Sequence, residues 1–236
     1  MSSAADSREL VIVVDFGAQY AQLIARRIRE CRVYSELVRF DEPAAKVLAM
    51  KPKGIVLSGG PASVYGEGAP RWAPELYEAG VPVLGICYGM QVMSKQLGGE
   101  VVRGDTREYG RMELTVECDQ DLFHGLDERL TAWMSHGDVV TQPPGGFRVT
   151  ARTPTAIAAM SDRERKLFGV QFHPEVIHTP FGMDVFRNFL YRQCGCHGLW
   201  TPESIVEESC RAIQEQAPTP GLGGDLAHPL GAVGGK

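Results

Sequence analysis

Cys87 stands in Gly85-Ile-Cys-Tyr-Gly89, a nucleophilic side chain framed by glycines two residues away on each side. A small-x-nucleophile-x-small run at a strand-to-helix turn is the nucleophile elbow. Its glycines allow the tight turn that leaves the nucleophile above the strand end, where the following helix N-terminus favours negative charge. A buried cysteine between packing glycines would read the same way. A nucleophile of this kind needs a base and a group that orients the base. His173-Pro-Glu175 follows the apolar run Gly169-Val-Gln-Phe172. In extended backbone, residues i and i+2 point to one side, so the Glu175 carboxylate can reach the His173 imidazole. Pro174 favours this by pushing His173 out of the helical region. By itself His-Pro-Glu suits an ordinary strand-end turn; together with the elbow it completes a thiol, a base and an orienting carboxylate. A third segment, Ser58-Gly59-Gly60-Pro61, can turn backbone N–H groups toward a developing oxyanion, with the N–H of Tyr88 as a further donor. A simple turn or a phosphate loop would also fit, although no Lys-Ser/Thr pair follows as a nucleotide loop requires.

The elements that must position these residues alternate between strand and helix. Leu10–Asp15, Val33–Val38, Gly54–Leu57 and Val81–Ile86 are short apolar runs suited to strands. Helical spacing joins Tyr20, Leu23, Ile24 and Ile28, and again Met90, Met93 and Leu97, with Gly98-Gly99 as the stop. Asp41 is the expected N-cap of a helix that starts at Pro43 and reaches about Met50. A short helix is expected near 72–79. Strands separated by helices imply βαβ crossovers and a parallel sheet covered on both faces, with ligands beyond the carboxyl ends of its strands. Past residue 110 the pattern changes: 111–118, 147–152, 156–160 and 167–172 read as strands with few helices between them, extending the same sheet in partly antiparallel fashion. A helix carrying Met183, Phe186, Phe189 and Leu190 closes the domain. The expected fold class is therefore α/β: an open, mostly parallel, flavodoxin-like sheet with helices on both faces and additional antiparallel strands. The expected organisation is a domain over 8–200, a linker helix over 201–216 and a flexible tail over 217–236. That last segment holds three Pro and six Gly and no aromatic residue.

Composition narrows the function classes. The chain has 236 residues, 44% hydrophobic and 22% charged, enough for a substantial core. A formal net charge of -5 without a Lys/Arg cluster argues against nucleic-acid binding. No apolar run approaches the roughly 18 residues of a membrane helix, and the first nine residues do not resemble a signal peptide. Six cysteines spread over this length do not form a disulfide pattern, so a cytoplasmic setting is expected. Cys194-Gly-Cys196-His197 offers three metal-ligand types but no fourth at the usual spacing, so no metal site is expected there.

Taken together, Gly85-Ile-Cys-Tyr-Gly-Met-Gln91, Ser58-Gly-Gly-Pro61 and Phe172-His-Pro-Glu175 resemble the class I glutamine amidotransferases. More narrowly, Asp15-Phe-Gly-Ala-Gln-Tyr20, Ser63-Val-Tyr65, Arg107-Glu-Tyr-Gly110, Ser135-His-Gly-Asp138 and Gly169–Val176 resemble the glutaminase domains of GMP synthetases. The resemblance covers about residues 8–216. It implies that Cys87 attacks the side-chain amide of L-glutamine to form a γ-glutamyl thioester and release ammonia, with His173 and Glu175 completing the triad. It further implies an oxyanion hole from Gly59, Gly60 and Tyr88. Gln91 and the backbone around Ser135, His136 and Gly137 would hold the amino-acid end of the substrate, with His136 itself read more readily as a structural hydrogen-bonder. No cofactor is implied for glutamine hydrolysis. ATP and Mg2+ would serve only the ATP-pyrophosphatase partner, a domain or subunit that aminates XMP to GMP, whose Ser-Gly-Gly-Val-Asp-Ser loop this chain lacks. The chain is therefore expected to be a separate glutaminase subunit or a fragment of a two-domain enzyme, with low activity by itself. Two other readings stay open at this point: a cysteine hydrolase on the same scaffold that acts on γ-glutamyl conjugates or peptides, and a non-catalytic module that binds a synthetase.

Overall fold

The computed structural model describes residues 9–17, 19–60 and 63–201, with backbone only over 104–107. The expected linker helix and tail lie, from residue 202 onward, outside the described residues. Among the described residues, nine strands form one sheet: β1 (Leu10–Asp15), β2 (Tyr34–Arg39), β3 (Gly54–Leu57), β4 (Val83–Ile86), β5 (Glu100–Val116), β6 (Arg129–Gln142), β7 (Arg148–Arg152), β8 (Ile157–Asp162) and β9 (Leu167–Val170). Their order is β2-β1-β3-β4-β9-β8-β7-β5-β6. The first five in that order pair parallel, and the remaining four continue antiparallel. This is the expected open parallel sheet with an antiparallel extension.

The central strands are apolar throughout because both faces are covered. Along β1, Val11 and Val13 join one buried cluster while Ile12 and Val14 join the other, as a two-residue period demands. The first cluster holds Ile24, Ala25 and Ile28 of α1 (Ala21–Glu30) with Val185 and Phe186 of α4 (Gly182–Arg187). The second holds Val47 of α2 (Ala44–Ala49) and Met90, Val92 and Met93 of α3 (Tyr88–Gln96).

Several local expectations are corrected. Asp41 does not cap α2; Pro43 stands at the N-cap, while both Asp41 oxygens accept bonds from Arg39 at 2.9 Å. The short helix near 72–79 is one 3-10 turn, Pro74–Tyr77. After α4 the chain continues as a π-helical turn over Asn188–Gln193, which still buries Phe189 and Leu190. The largest difference is β6, a strand that the sequence pattern does not reveal, together with a β5 that begins at Glu100. Register shifts between Arg103 and Glu108, and Gly110 at φ 98°, interrupt the pattern that would mark β5 as continuous.

The approach of α3 to the sheet depends on glycine. A Cβ at Gly89 would collide with the Leu57 carbonyl oxygen and lie 2.7 Å from the Leu57 Cβ; one at Gly85 would lie 2.7 Å from the Gly89 carbonyl carbon. Backbone at these contacts cannot move aside as a flexible side chain does. Gly89→Ala is therefore expected to destabilise the fold by about 3 kcal/mol, the upper end of overpacking costs. Urea unfolding followed by circular dichroism checks this; a loss under ~0.5 kcal/mol would show that α3 is free to lift off the sheet.

Candidate active site

β4 and β9 are parallel neighbours in the register Gly85↔Gly169 and Ile86↔Val170. Their next residues leave the same edge of the sheet together, so Cys87 meets the segment Gln171–Glu175 despite the long separation in sequence. Cys87 has φ 51° and ψ -106°, a sparsely populated conformation for a residue with a Cβ. It is held there by its N–H bond to the Val170 carbonyl at 2.8 Å, while its own carbonyl accepts from Gln91 N–H at 3.1 Å. This is the strained strand-to-helix turn expected for the elbow.

The Cys87 side chain is among the groups that act electrostatically on the His173 imidazole. His173 Nδ1 lies 2.7 Å from Glu175 Oε1, which leaves Nε2 as the ring nitrogen not engaged by the carboxylate. Glu175 is fully buried, and its Oε2 has no hydrogen-bond partner among the described residues. Burial disfavours charge on His173, yet the bonds to Cys87 and Glu175 and their charges outweigh it and hold the imidazole well above its ordinary pKa of 6.5. The sulfur has two further polar neighbours: the Ser135 carbonyl oxygen and Gln171 Nε2, each at 3.7 Å.

The backbone around the base is clamped from several elements. His173 N–H donates to the Trp133 carbonyl of β6 at 3.0 Å, and Thr179 Oγ1 donates to the His173 carbonyl at 2.7 Å while accepting from Trp133 N–H at 3.0 Å. From α1, Arg27 Nε donates to the Glu175 carbonyl at 2.9 Å, and the Tyr20 ring meets the His173 ring edge-on with centroids 5.6 Å apart. Arg27, Tyr20, Thr179 and Gln171 are residues to which motif reading assigns no role. Only Tyr20 and Gln171 lie within recognisable motifs, and no local pattern distinguishes the other two.

The remaining candidates fall close by. Gly59 and Gly60 follow β3 beside the helix start: the Ser58 carbonyl accepts from Gly89 N–H at 3.1 Å, and Gly60 packs so closely on Tyr88 that a Cβ would lie 3.0 Å from the ring. Gln91 is buried, and its Nε2 donates to the Asp138 carbonyl at 2.8 Å and to Gln171 Oε1 at 3.3 Å. Ser135 is exposed and Gly137 half-buried on β6. The His136 side chain is buried away from the sulfur, with Nε2 3.1 Å from Glu108 Oε2 and Nδ1 3.2 Å from the Asp138 carbonyl. Glu108 Oε1 also accepts from Thr153 at 2.7 Å and from Thr155. Both His136 nitrogens thus face groups within the protein, so this stretch offers a ligand its backbone and the exposed Ser135 side chain.

Cys194 and Cys196 are buried, with thiols pushed up by desolvation, that of Cys196 to about 12. His197 bonds to Glu9 at 2.9 Å. Among the described residues no three His, Cys, Asp or Glu side chains are placed to hold a metal ion, and no helix is long and apolar enough to cross a membrane.

Residues 12–193 match the family model of glutamine amidotransferase class I, and the chain belongs to that family. Within it, the chain is similar to the GMP synthase [glutamine-hydrolyzing] of Thermobifida fusca, 56% identical over 209 residues, covering 88% of this chain and 40% of that protein. It is also similar to the GMP synthase [glutamine-hydrolyzing] of Parafrankia sp., 58% identical over 207 residues, with coverages of 87% and 39%. The chain therefore spans about 40% of the length of these relatives. The crystal structure of a GMP synthase subunit from Thermoplasma acidophilum superposes with a TM-score of 0.69 at 28% identity, covering 89% of this chain and 98% of that one. A Thermotoga maritima glutamine amidotransferase shares the fold at a TM-score of 0.57 and 21% identity, covering 87% and 92%.

The two buried histidines give stability opposite pH slopes. Desolvation lowers the His136 pKa below 6.5 despite the nearby Glu108 carboxylate, so on acidification the unfolded chain takes up this proton first. Its contribution is complete above about pH 6.5 and lost as pH falls below it; that of His173, held high, is complete below about pH 6.5 and lost as pH rises through its folded value. His136→Gln, which removes the titrating imidazole and sets an amide opposite Glu108, is expected to reduce the drop in urea midpoint between about pH 7 and about pH 5. An unchanged drop would assign the acid sensitivity elsewhere.

Proposed function

We propose that this chain is the glutaminase component of a GMP synthetase. It hydrolyses L-glutamine to glutamate and ammonia, and a partner ATP-pyrophosphatase domain or subunit uses the ammonia to aminate XMP to GMP, a step of purine biosynthesis in the cytoplasm. The observation that carries the reading is a cysteine on a strained elbow that acts on the His173 imidazole, itself backed at 2.7 Å by the buried Glu175 carboxylate. The names and high identity of the relatives support glutamine and GMP synthesis over other cysteine hydrolase chemistry.

In this mechanism the Cys87 proton passes to His173, and the sulfur attacks the amide carbon while the carbonyl electron pair moves to oxygen. Backbone N–H groups of Gly59, Gly60 and Tyr88 receive that oxyanion, worth about a hundredfold to a thousandfold per donor at such sites. Collapse expels ammonia with the proton returned by His173, leaving the γ-glutamyl thioester. A water, deprotonated by His173, hydrolyses the thioester and regenerates the thiol. Glu175 fixes the imidazole orientation throughout. The Ser135–Gly137 backbone and the Gln91 carbonyl oxygen serve the α-amino and α-carboxyl end of the substrate, groups whose recognition excludes simple amides. This chemistry uses no cofactor; ATP and Mg2+ belong to the partner's half-reaction.

The test combines the full chain with an ATP-pyrophosphatase partner protein, glutamine and XMP. Ammonia release is expected to fall by about ten-thousandfold or more in Cys87→Ala and in His173→Ala. An electrophilic glutamine analogue is expected to label Cys87. Absence of both turnover and adduct with the partner present would overturn the reading, and preference for γ-glutamyl peptides over glutamine would redirect it.

A further inference from the structure

Gln171 lies one residue beyond β9, fully buried, with its backbone N–H held by the Ala158 carbonyl at 2.8 Å. Its side-chain amide bridges two parts of the site: Nε2 lies 3.7 Å from Cys87 Sγ, and Oε1 accepts from Gln91 Nε2 at 3.3 Å. A primary amide could present either end to the sulfur, and here the network removes the choice. The Asp138 carbonyl can only accept, so the Gln91 atom facing it at 2.8 Å is the NH2 group. The same NH2 group faces Gln171, whose facing atom must then be oxygen. That leaves the Gln171 NH2 group for the sulfur.

The sulfur therefore lies between an acceptor and a donor. The Ser135 carbonyl suits the protonated form, accepting S–H. The Gln171 amide suits the deprotonated form, since a thiolate is a far better acceptor than a thiol and bonds to ionised partners are roughly twice as strong as neutral ones. We propose that Gln171 is a further catalytic residue, a fixed N–H donor that stabilises the Cys87 sulfur as an anion, and that Gln91 is the positioning residue that orients its amide. The step it assists is the transfer of the Sγ proton to His173 Nε2, with both sulfur electrons staying on sulfur and no atom gained or lost. The proposal rests on the glutaminase reading above for its purpose, though not for its measurement.

The titratable and charged groups around the sulfur are His173 with Glu175 after β9, Glu108, His136 and Asp138 on β5 and β6, Tyr88 at the start of α3, and Tyr20 and Arg27 at α1; the test leaves all of them unaltered. Full-length protein is treated with iodoacetamide across a pH series, and modification of Cys87 is followed by peptide mass spectrometry, with Cys194 as a buried internal control. In Gln171→Met, of similar volume and without a donor, Cys87 alkylation near neutral pH is expected to slow by about tenfold or more, with the rate–pH inflection moved upward. Gln171→Glu keeps an oxygen for Gln91 and sets a carboxylate oxygen against the sulfur, so it is expected to be slower still. Wild-type rate and inflection in a Gln171→Met protein with an unchanged unfolding midpoint would overturn the proposal. If that variant does not fold, alkylation in Gln171→Glu at or above the wild-type rate would do the same. Glutamine hydrolysis by the wild type is measured separately with the ATP-pyrophosphatase partner. Its absence would sink the glutaminase reading, while an unchanged alkylation profile would sink the role of Gln171.

Discussion

The parallel pairing of β4 with β9 is the constraint on which the site depends. Both strands end at the same edge, and register rather than proximity in sequence sets the elbow cysteine beside the strand that carries His173. The pairing also explains the composition of the strands. Gly85 and Gly169 face each other across the ladder, and a Cβ at Gly169 would lie 2.8 Å from the Met90 Cγ. Side chains at those positions would push α3 away, and with it the N-terminus that follows Cys87. The strain at the elbow is offset by the bonds around it: the positive φ of Cys87 persists because Val170 and Gln91 hold its backbone from both sides.

The antiparallel extension contributes as much to the site as the parallel core. β6 places three main-chain carbonyls where the site needs acceptors: Trp133 for the His173 N–H, Ser135 for the sulfur and Asp138 for Gln91. Carbonyls on a paired strand have little freedom to reorient, so these acceptors are pre-positioned. Behind them, Glu108 ties His136 to Thr153 and Thr155, and the Asp138 carboxylate bonds to Ser63 of the loop after β3. Buried polar groups satisfied in this way fix one arrangement of β5 against β6, because any shift would leave several of them unpaired.

This division also explains what can be read from the sequence. The elbow, the His-Pro-Glu pair and the glycine loop are local patterns whose chemistry needs only a few adjacent residues, and the apolar runs of β1, β3 and β4 are unambiguous because both their faces are covered. β6 escapes such a reading because it buries His136 and Asp138, polar residues at positions where an alternating pattern would require apolar ones. β5 is legible only from Arg111 because its bulge and Gly110 break the two-residue period. The expected α2 cap fails because Asp41 has a competing partner in Arg39, two residues back. Arg27 and Thr179 act through backbone carbonyls on other elements, and such partners are defined only once the strand order is known.

The same geometry bears on why the sulfur is sensitive to its surroundings. Its acceptor, Ser135, belongs to β6, and its donor, Gln171, extends β9, two strands at different places in the sheet that are joined near the site by the His173–Trp133 bond. Both contacts are 3.7 Å long, within the range for sulfur but not short, and hydrogen bonds weaken steeply once distance or angle is lost. A displacement of a few tenths of an ångström between those strands would strengthen one contact at the expense of the other. The polar contacts of the nucleophile are thus tied to the placement of two backbone segments, and Gln91 bonds to both, to Asp138 on one and Gln171 on the other.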